Sequence, residues 1–244
     1  GNFTNLIAGN FNITITDNNA CTFVYPIVVT QPTAALTATI ANQTDALCFN
    51  GSNGTVTLTA TDGTPNYLYG VSGTTLTNNP LISGMSAGNY TVIVQDNNSC
   101  TVALNVIIGQ PLLPVSASVT STTDVLCYGS ATGVLNVHAS DGFAPYNYTL
   151  GPNTNINGQF NNLTAGNYTV NITDNNGCVA SVNATINQPL TALSVTIPNA
   201  SNPVCNGFNN GTATALANGG TSALGYTYSW NTAPVQNVAQ ANNL

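Results

Sequence analysis

The sequence predicts an all-β chain built from tandem two-sheet sandwiches, and two observations carry that expectation. The first is a repeat. Leu163–Cys178, reading Leu-Thr-Ala-Gly-Asn-Tyr-Thr-Val-Asn-Ile-Thr-Asp-Asn-Asn-Gly-Cys, returns in close form at Ile7–Cys21 and Ser86–Cys100. The aspartates of the three copies, Asp17, Asp96 and Asp174, stand 79 and 78 positions apart. A spacing that regular marks serial copies of one module. The second observation is a period of two. Tyr168, Val170 and Ile172 alternate with Thr169, Asn171 and Thr173, the pattern of a half-buried strand. No stretch shows helical periodicity.

Taken in order, residues 1–32 read as the back end of a first module. Phe11, Ile13 and Ile15 form one face of a strand, Asp17-Asn18-Asn19-Ala20 a turn, and Phe23, Tyr25, Ile27 and Val29 a returning strand. Asx side chains bond their own backbone in such turns, and Asn and Gly tolerate positive φ. Pro26 cannot donate to a ladder, so the returning strand belongs at a sheet edge.

Residues 33–111 form a complete module. Leu36, Ala38 and Ile40 mark its first strand, and Val56, Leu58 and Ala60 the inner face of the second. Tyr67, Tyr69 and Val71 mark a third, after the turn Asp62-Gly63-Thr64-Pro65. Thr74 to Met85 is a variable connection with room for short strands, and the closing hairpin spans Tyr90–Val94 and Val102–Ile108.

Residues 112–189 repeat that layout, and residues 190–244 begin it again with Leu193, Val195, Ile197, Tyr226, Tyr228 and Trp230. The chain is therefore expected to be a piece of a longer array, about three periods long. Asp62 and Asp141 are expected to give way to Asn218, and the Pro before the aromatic strand is absent from Ser222–Tyr226. About seven short strands per module, with an aromatic third strand, fit an immunoglobulin-like sandwich. Trp230 is expected on the buried face of its strand. Tyr90 and Tyr168 sit where a tyrosine corner would be; Phe11 takes that place in the first copy.

Composition removes several function classes. The chain has no Lys and no Arg, and its seven acids, all Asp, leave a net charge of −7. Nucleic-acid affinity rests on cations neutralising phosphates, and anionic membranes also attract basic segments, so neither is an expected partner. No apolar run reaches the length of a membrane span. With 43% hydrophobic residues, the chain has the apolar surface that disordered chains lack.

No cofactor, metal or catalytic centre is expected. The lone His138 stands on an outward strand position with no nucleophile motif beside it. Calcium wants six to eight oxygens with several carboxylates, whereas each turn offers one, so Asp17, Asp96 and Asp174 read as Asx-turn residues. Most of the ten tyrosines fall on inward positions and read as core rather than as sugar-stacking platforms. Asn-x-Ser/Thr triplets such as Asn89-Tyr90-Thr91 follow from an Asn- and Thr-rich composition.

The six cysteines sit at repeat-equivalent places: Cys21, Cys100 and Cys178 after the hairpin turn, and Cys48, Cys127 and Cys205 near the start of a module. Without Cys-x-x-Cys or a second His, disulfides in an extracellular setting are preferred to zinc. Topology then argues about connectivity. Cys48 follows the first strand and lies at the end where the chain leaves its module, whereas Cys100 lies at the opposite end. A strand length of roughly 30 Å separates those ends, and a disulfide needs Cα atoms within about 7 Å. In a head-to-tail rod Cys48 instead approaches Cys178 of the next module. A Cys48–Cys178 clamp is expected, with Cys21, Cys100, Cys127 and Cys205 pairing to modules outside these residues. A bent first strand that brings Cys48 back to Cys100 is the competing arrangement.

The chain resembles the SprB-type repeat. The likeness rests on Cys127-Tyr128-Gly129, Asp141-Gly142-Phe143-Ala144-Pro145-Tyr146, Leu163–Val170, Asp174–Cys178 and Gln188-Pro189, and it covers nearly the whole chain. Polycystic-kidney-disease-type domains share the hairpin pattern. The resemblance implies a very long cell-surface protein of gliding Bacteroidetes, similar in layout to mobile adhesins exported by the type IX secretion system. On that basis the expected function is a stiff extracellular spacer in a surface adhesin or filament, not an enzyme. Its expected partners are neighbouring repeats, with surface polysaccharide or other filament copies as further ones. The alternative is a carbohydrate-binding module that grips surface glycans directly.

Overall fold

In the computed structural model, which describes residues 2–221 and 225–244, every regular element among the described residues is a strand. The chain divides into two compact units, Gly1–Leu112 and Leu113–Leu244.

The first unit opens with an antiparallel hairpin, Gly9–Thr16 against Thr22–Val29, in unbroken register from Gly9↔Val29 to Thr16↔Thr22. A two-sheet sandwich follows. Gly54–Thr61 lies between Thr37–Thr44 and Leu81–Met85 in one sheet, and Gly88–Gln95 between Leu68–Val71 and Thr101–Ile108 in the other. Leu36, Val56, Leu58 and Met85 meet Val92, Val94, Val106 and Ile108 in the core between them. Alternation explains the choice. Val56 and Leu58 are buried while Thr59 points out. Each such aliphatic side chain contributes about 1.5–3 kcal/mol when fully buried.

The second unit repeats the sandwich. Gly133–Ser140 lies between Ser116–Thr123 and Gln159–Leu163, and the facing sheet runs in the order Asn153–Asn155, Asn147–Leu150, Gly166–Thr173, Val179–Ile186. Beyond it, Ser194–Ser201, Thr212–Asn218 and Gln240–Asn242 make a single three-stranded sheet.

Repeat-equivalent detail is strong. The first strand of the three sheets that open with Thr37–Thr44, Ser116–Thr123 and Ser194–Ser201 bulges at matching places, between Ile40 and Asn42, opposite Asn136–Val137, and between Thr196 and Asn199. Such bulges bend a strand and increase its twist. The edge position expected for Pro26 is seen in its equivalents, because Thr101–Ile108 and Val179–Ile186 both end their sheets.

The expected tyrosine corner is present. Tyr90 donates its hydroxyl to Ser86 O at 3.0 Å, and Tyr168 to Thr164 O at 2.8 Å. Tyr226, Tyr228 and Trp230 share one face of their segment and are half-buried. Trp230 donates its ring N–H to Val238 O at 2.9 Å.

One alignment from the sequence needs correction. Gly219, not Asn218, stands in the place of Asp62 and Asp141. All three have a left-handed backbone followed by a left-handed glycine, Gly63, Gly142 or Gly220. All three offer their carbonyl to a tyrosine hydroxyl: Tyr67 to Asp62, Tyr146 to Asp141, Tyr226 to Gly219. Asn218 instead pairs with Ser194 as Ser140 pairs with Ser116. The missing Pro before Tyr226 falls at 222–224, outside the described residues.

Candidate functional site: the two ends of the sandwich

The hairpin turn builds one end of each sandwich around a single carboxylate. Asp96 Oδ1 accepts the N–H of Asn98 and of Cys100, each at 2.9 Å, which closes the turn. Its Oδ2 accepts the N–H of Thr64 at 2.9 Å, tying the hairpin to the turn between the two sheets. Asp174 does the same with Asn176, Cys178 and Phe143 at 2.9, 2.8 and 2.9 Å. Asp17 makes the two local bonds, to Asn19 at 2.9 Å and Cys21 at 2.8 Å.

Glycine lets the carboxylate approach. Gly63 and Gly142 have φ of +63° and +62°, and a Cβ there would meet Asp96 Oδ2 at 2.7 Å or Asp174 Oδ2 at 2.6 Å. Asp96 is buried. The N–H of Thr64 holds its carboxyl below the usual carboxylate range, helped by Cys100 and Asn98 and opposed by desolvation. Donors to the charged form act in that direction.

The other end is closed by the segment that leaves the module. Asp45 Oδ1 accepts Gly109 N–H at 2.8 Å, and Ala46 N–H donates to Gly109 O at 3.0 Å. Gln110 Oε1 accepts Asn50 N–H at 2.8 Å. In the second unit Asp124 accepts Asn187 N–H, Val125 donates to Asn187 O and Gln188 accepts Gly129 N–H, all at 2.8 Å. These clasps hold the Cys48 and Cys127 turns beside the outgoing chain, where Gly51 N–H bonds Cys48 O at 2.9 Å and Ser130 N–H bonds Cys127 O at 3.0 Å. Gln-Pro recurs at the end of each module, at Gln31-Pro32, Gln110-Pro111 and Gln188-Pro189. Sequence reasoning misses its glutamine's bond to the cysteine loop; the available signal is the near-constant spacing of Asp45 from Gln110 and of Asp124 from Gln188, 65 and 64 positions.

Cys48 and Cys178 each take part in a disulfide, whereas Cys21, Cys100, Cys127 and Cys205 are exposed free thiols.

The remaining candidates resolve simply. His138 is exposed on the outer side of Gly133–Ser140. Tyr67, Tyr90, Tyr146, Tyr168 and Tyr226 spend their hydroxyls on backbone carbonyls, and the Tyr148 hydroxyl oxygen accepts the N–H of Ala139 at 3.0 Å. Among the described residues no group of three or more His, Cys, Asp or Glu side chains converges on a metal site. No described helix is long and apolar enough to cross a membrane.

Comparison with known proteins gives one family. The SprB repeat matches residues 40–75, 119–155 and 197–235. A search of the curated proteins finds no match. Among solved structures, the chain is similar to three N-terminal domains of the bacteriophage RB49 highly immunogenic outer capsid protein, at 16% identity and a TM-score of 0.34, covering 85% of this chain and 80% of that one. It is similar to the Clostridium thermocellum CbhA fibronectin(III)-like modules, at 14% identity and a TM-score of 0.31, covering 62% and 94%. It is also similar to domains 4 and 5 of the S-layer protein SbsC, at 15% identity and a TM-score of 0.28, covering 65% and 98%.

Proposed function

For a chain that carries three SprB repeats, we propose the role of a stiff spacer within a long extracellular cell-surface adhesin or filament used in attachment or gliding. Its modules span residues 1–32, 33–111, 112–189 and 190–244. The carrying observation is where the chain spends its polar groups. Asp45, Asp96, Asp124, Asp174, Gln110 and Gln188 all close the ends of sandwiches, which is what a load-bearing array needs.

Cys48 and Cys178 are read as partners in one bridge between successive modules, because the partner within each module, Cys100 or Cys127, is a free thiol. By the same rule the other four cysteines bond to modules beyond these residues. A disulfide that joins sequentially distant points removes unfolded-state freedom, typically about 2–4 kcal/mol.

Small-angle scattering tests the spacer. Sandwiches of roughly 35–40 Å in line give a rod on the order of 110–120 Å from strand geometry, and a compact particle refutes it. A glycan array tests the carbohydrate-binding alternative; binding that survives in the isolated chain would replace the spacer with a direct adhesive role.

A further inference from the structure

In each complete sandwich the first and last strands are neighbours. Thr37–Thr44 lies against Thr101–Ile108 across the corner between the sheets, and Ser116–Thr123 lies against Val179–Ile186. The two members of each pair belong to different sheets, so side chains and the segments just beyond the strands make the links between them. In the first sandwich Gln43 Nε2 donates to Ile107 O at 2.6 Å, and Gly109 N–H to Asp45 Oδ1 at 2.8 Å. Ala46 N–H donates to Gly109 O at 3.0 Å, and Asn50 N–H to Gln110 Oε1 at 2.8 Å. In the second, Asn187 N–H meets Asp124 Oδ1, Val125 N–H meets Asn187 O and Gly129 N–H meets Gln188 Oε1, all at 2.8 Å. Residue numbers rise together on both sides of each set, so the two segments run the same way. Pro111 and Pro189 follow at once; with no N–H to donate, each ends the set at its glutamine.

Chain direction decides what these links do. The chain enters the first sandwich at the end that holds Leu36, Gly63 and Asp96, where a Cβ on Gly63 would lie 3.1 Å from Leu36 Cβ and 2.7 Å from Asp96 Oδ2. It leaves from the opposite end, at Gly109 and Gln110. Tension on the two chain ends of a sandwich therefore draws its first strand one way and its last strand the other, along their common direction. Links between strands pulled in that manner are loaded in shear and must break together. The bonds at the hairpin end stand outside this path. Asp96 and Asp174 join the hairpin turn to Thr64 and Phe143, and neither partner lies on a first or last strand.

We propose that the contact between first and last strands is a mechanical clamp that sets the force at which each sandwich opens. Asp45 and Gln110 close it in one sandwich, Asp124 and Gln188 in the other. Its use rests on the spacer reading, because only a chain under tension loads it; its existence is a property of the fold. A carboxylate suits the place, since bonds to an ionised group are roughly twice as strong as neutral ones. Forced opening follows the unfolding rate rather than equilibrium stability. A few bonds on the loaded pair therefore outweigh equal bonds elsewhere.

Single-molecule pulling of the 244-residue chain by handles at its two ends tests the proposal, in reducing buffer so that no disulfide shortens the path. Asp45→Ala should speed the opening of one sandwich at constant force and Asp124→Ala that of the other, each roughly tenfold, the rate equivalent of one charge-assisted bond. Gln110→Ala and Gln188→Ala should act in the same direction by less. Asp96→Ala and Asp174→Ala are the comparison. They should lower the denaturant midpoint at least as much and change opening under load far less. Clamp variants that open at the parent rate would overturn the proposal, as would hairpin-end variants that open as fast as clamp variants. If an aspartate variant fails to fold, the glutamine pair decides the matter by the same criteria. Loss of the clamp signature in a chain that scatters as a rod removes the clamp and leaves the spacer. A clamp signature in a chain that scatters as a compact particle removes the spacer and leaves the clamp.

Discussion

The carboxylate of Asp96 accepts the backbone N–H of Thr64 at 2.9 Å across 32 positions of chain. One oxygen closes the hairpin turn and the other pins that turn to the crossover between sheets. Asp174 and Phe143 repeat the arrangement across 31 positions. In a chain without Lys or Arg, backbone donors do the work that ion pairs do elsewhere.

Asp174→Ala should therefore destabilise the second sandwich. It removes the acceptor from three N–H groups, and loss of bonds to a charged group costs about 1.5–3 kcal/mol. Denaturant melting of the chain reads the loss directly. Asp174→Asn, which keeps one acceptor oxygen, should fall between.

Asp96 gives a pH dependence of defined sign. Its folded-state value is lowered, so its contribution is fully present above the unfolded carboxylate value of about 3.9. It is lost as pH falls through the lower folded value. Stability of the first sandwich should be level from neutral pH to about pH 5 and decline in more acid solution. Asp96→Asn should flatten that decline; an unchanged acid limb would contradict the assignment.

The strands and turns were legible because their signals are local. Alternation placed Val56–Ala60 and Tyr168–Ile172, and the recurrent Asp-Asn-Asn turn fixed the hairpin. The links from Asp96 to Thr64 and from Gln188 to Gly129 were not legible, because the partner is a backbone N–H and any residue supplies one. Asn218 was misplaced for a related reason. A side-chain match suggested Asn for Asp, whereas the position is defined by its left-handed backbone, which Gly219 satisfies without a carboxylate.

Gly133→Ala should cost about 1–3 kcal/mol as an overpacking change, because the new Cβ would lie 2.7 Å from Ile186 Cγ2 and 2.8 Å from Leu163 O. The same change at Gly129, where a Cβ meets nothing within 4 Å, should cost less and only through its φ of +75°. Comparing the two melting midpoints separates steric from backbone cost.

Tyr168→Phe should lose about 0.5–1.5 kcal/mol, the net value of one hydroxyl bond, since Thr164 O accepts it at 2.8 Å. Phe11→Tyr in the first copy should leave the melting of the described sandwiches unchanged, because that hairpin stands outside both of them.

Peptide mapping without reduction tests the junction clamp most directly. The digest must use a protease that cuts beside Asp or aromatic residues, because trypsin has no site in this chain. A linked peptide pair containing Cys48 and Cys178, with Cys21, Cys100, Cys127 and Cys205 alkylated as free thiols, is the predicted result. A Cys48–Cys100 pair would contradict it and make the bridge a staple within one sandwich.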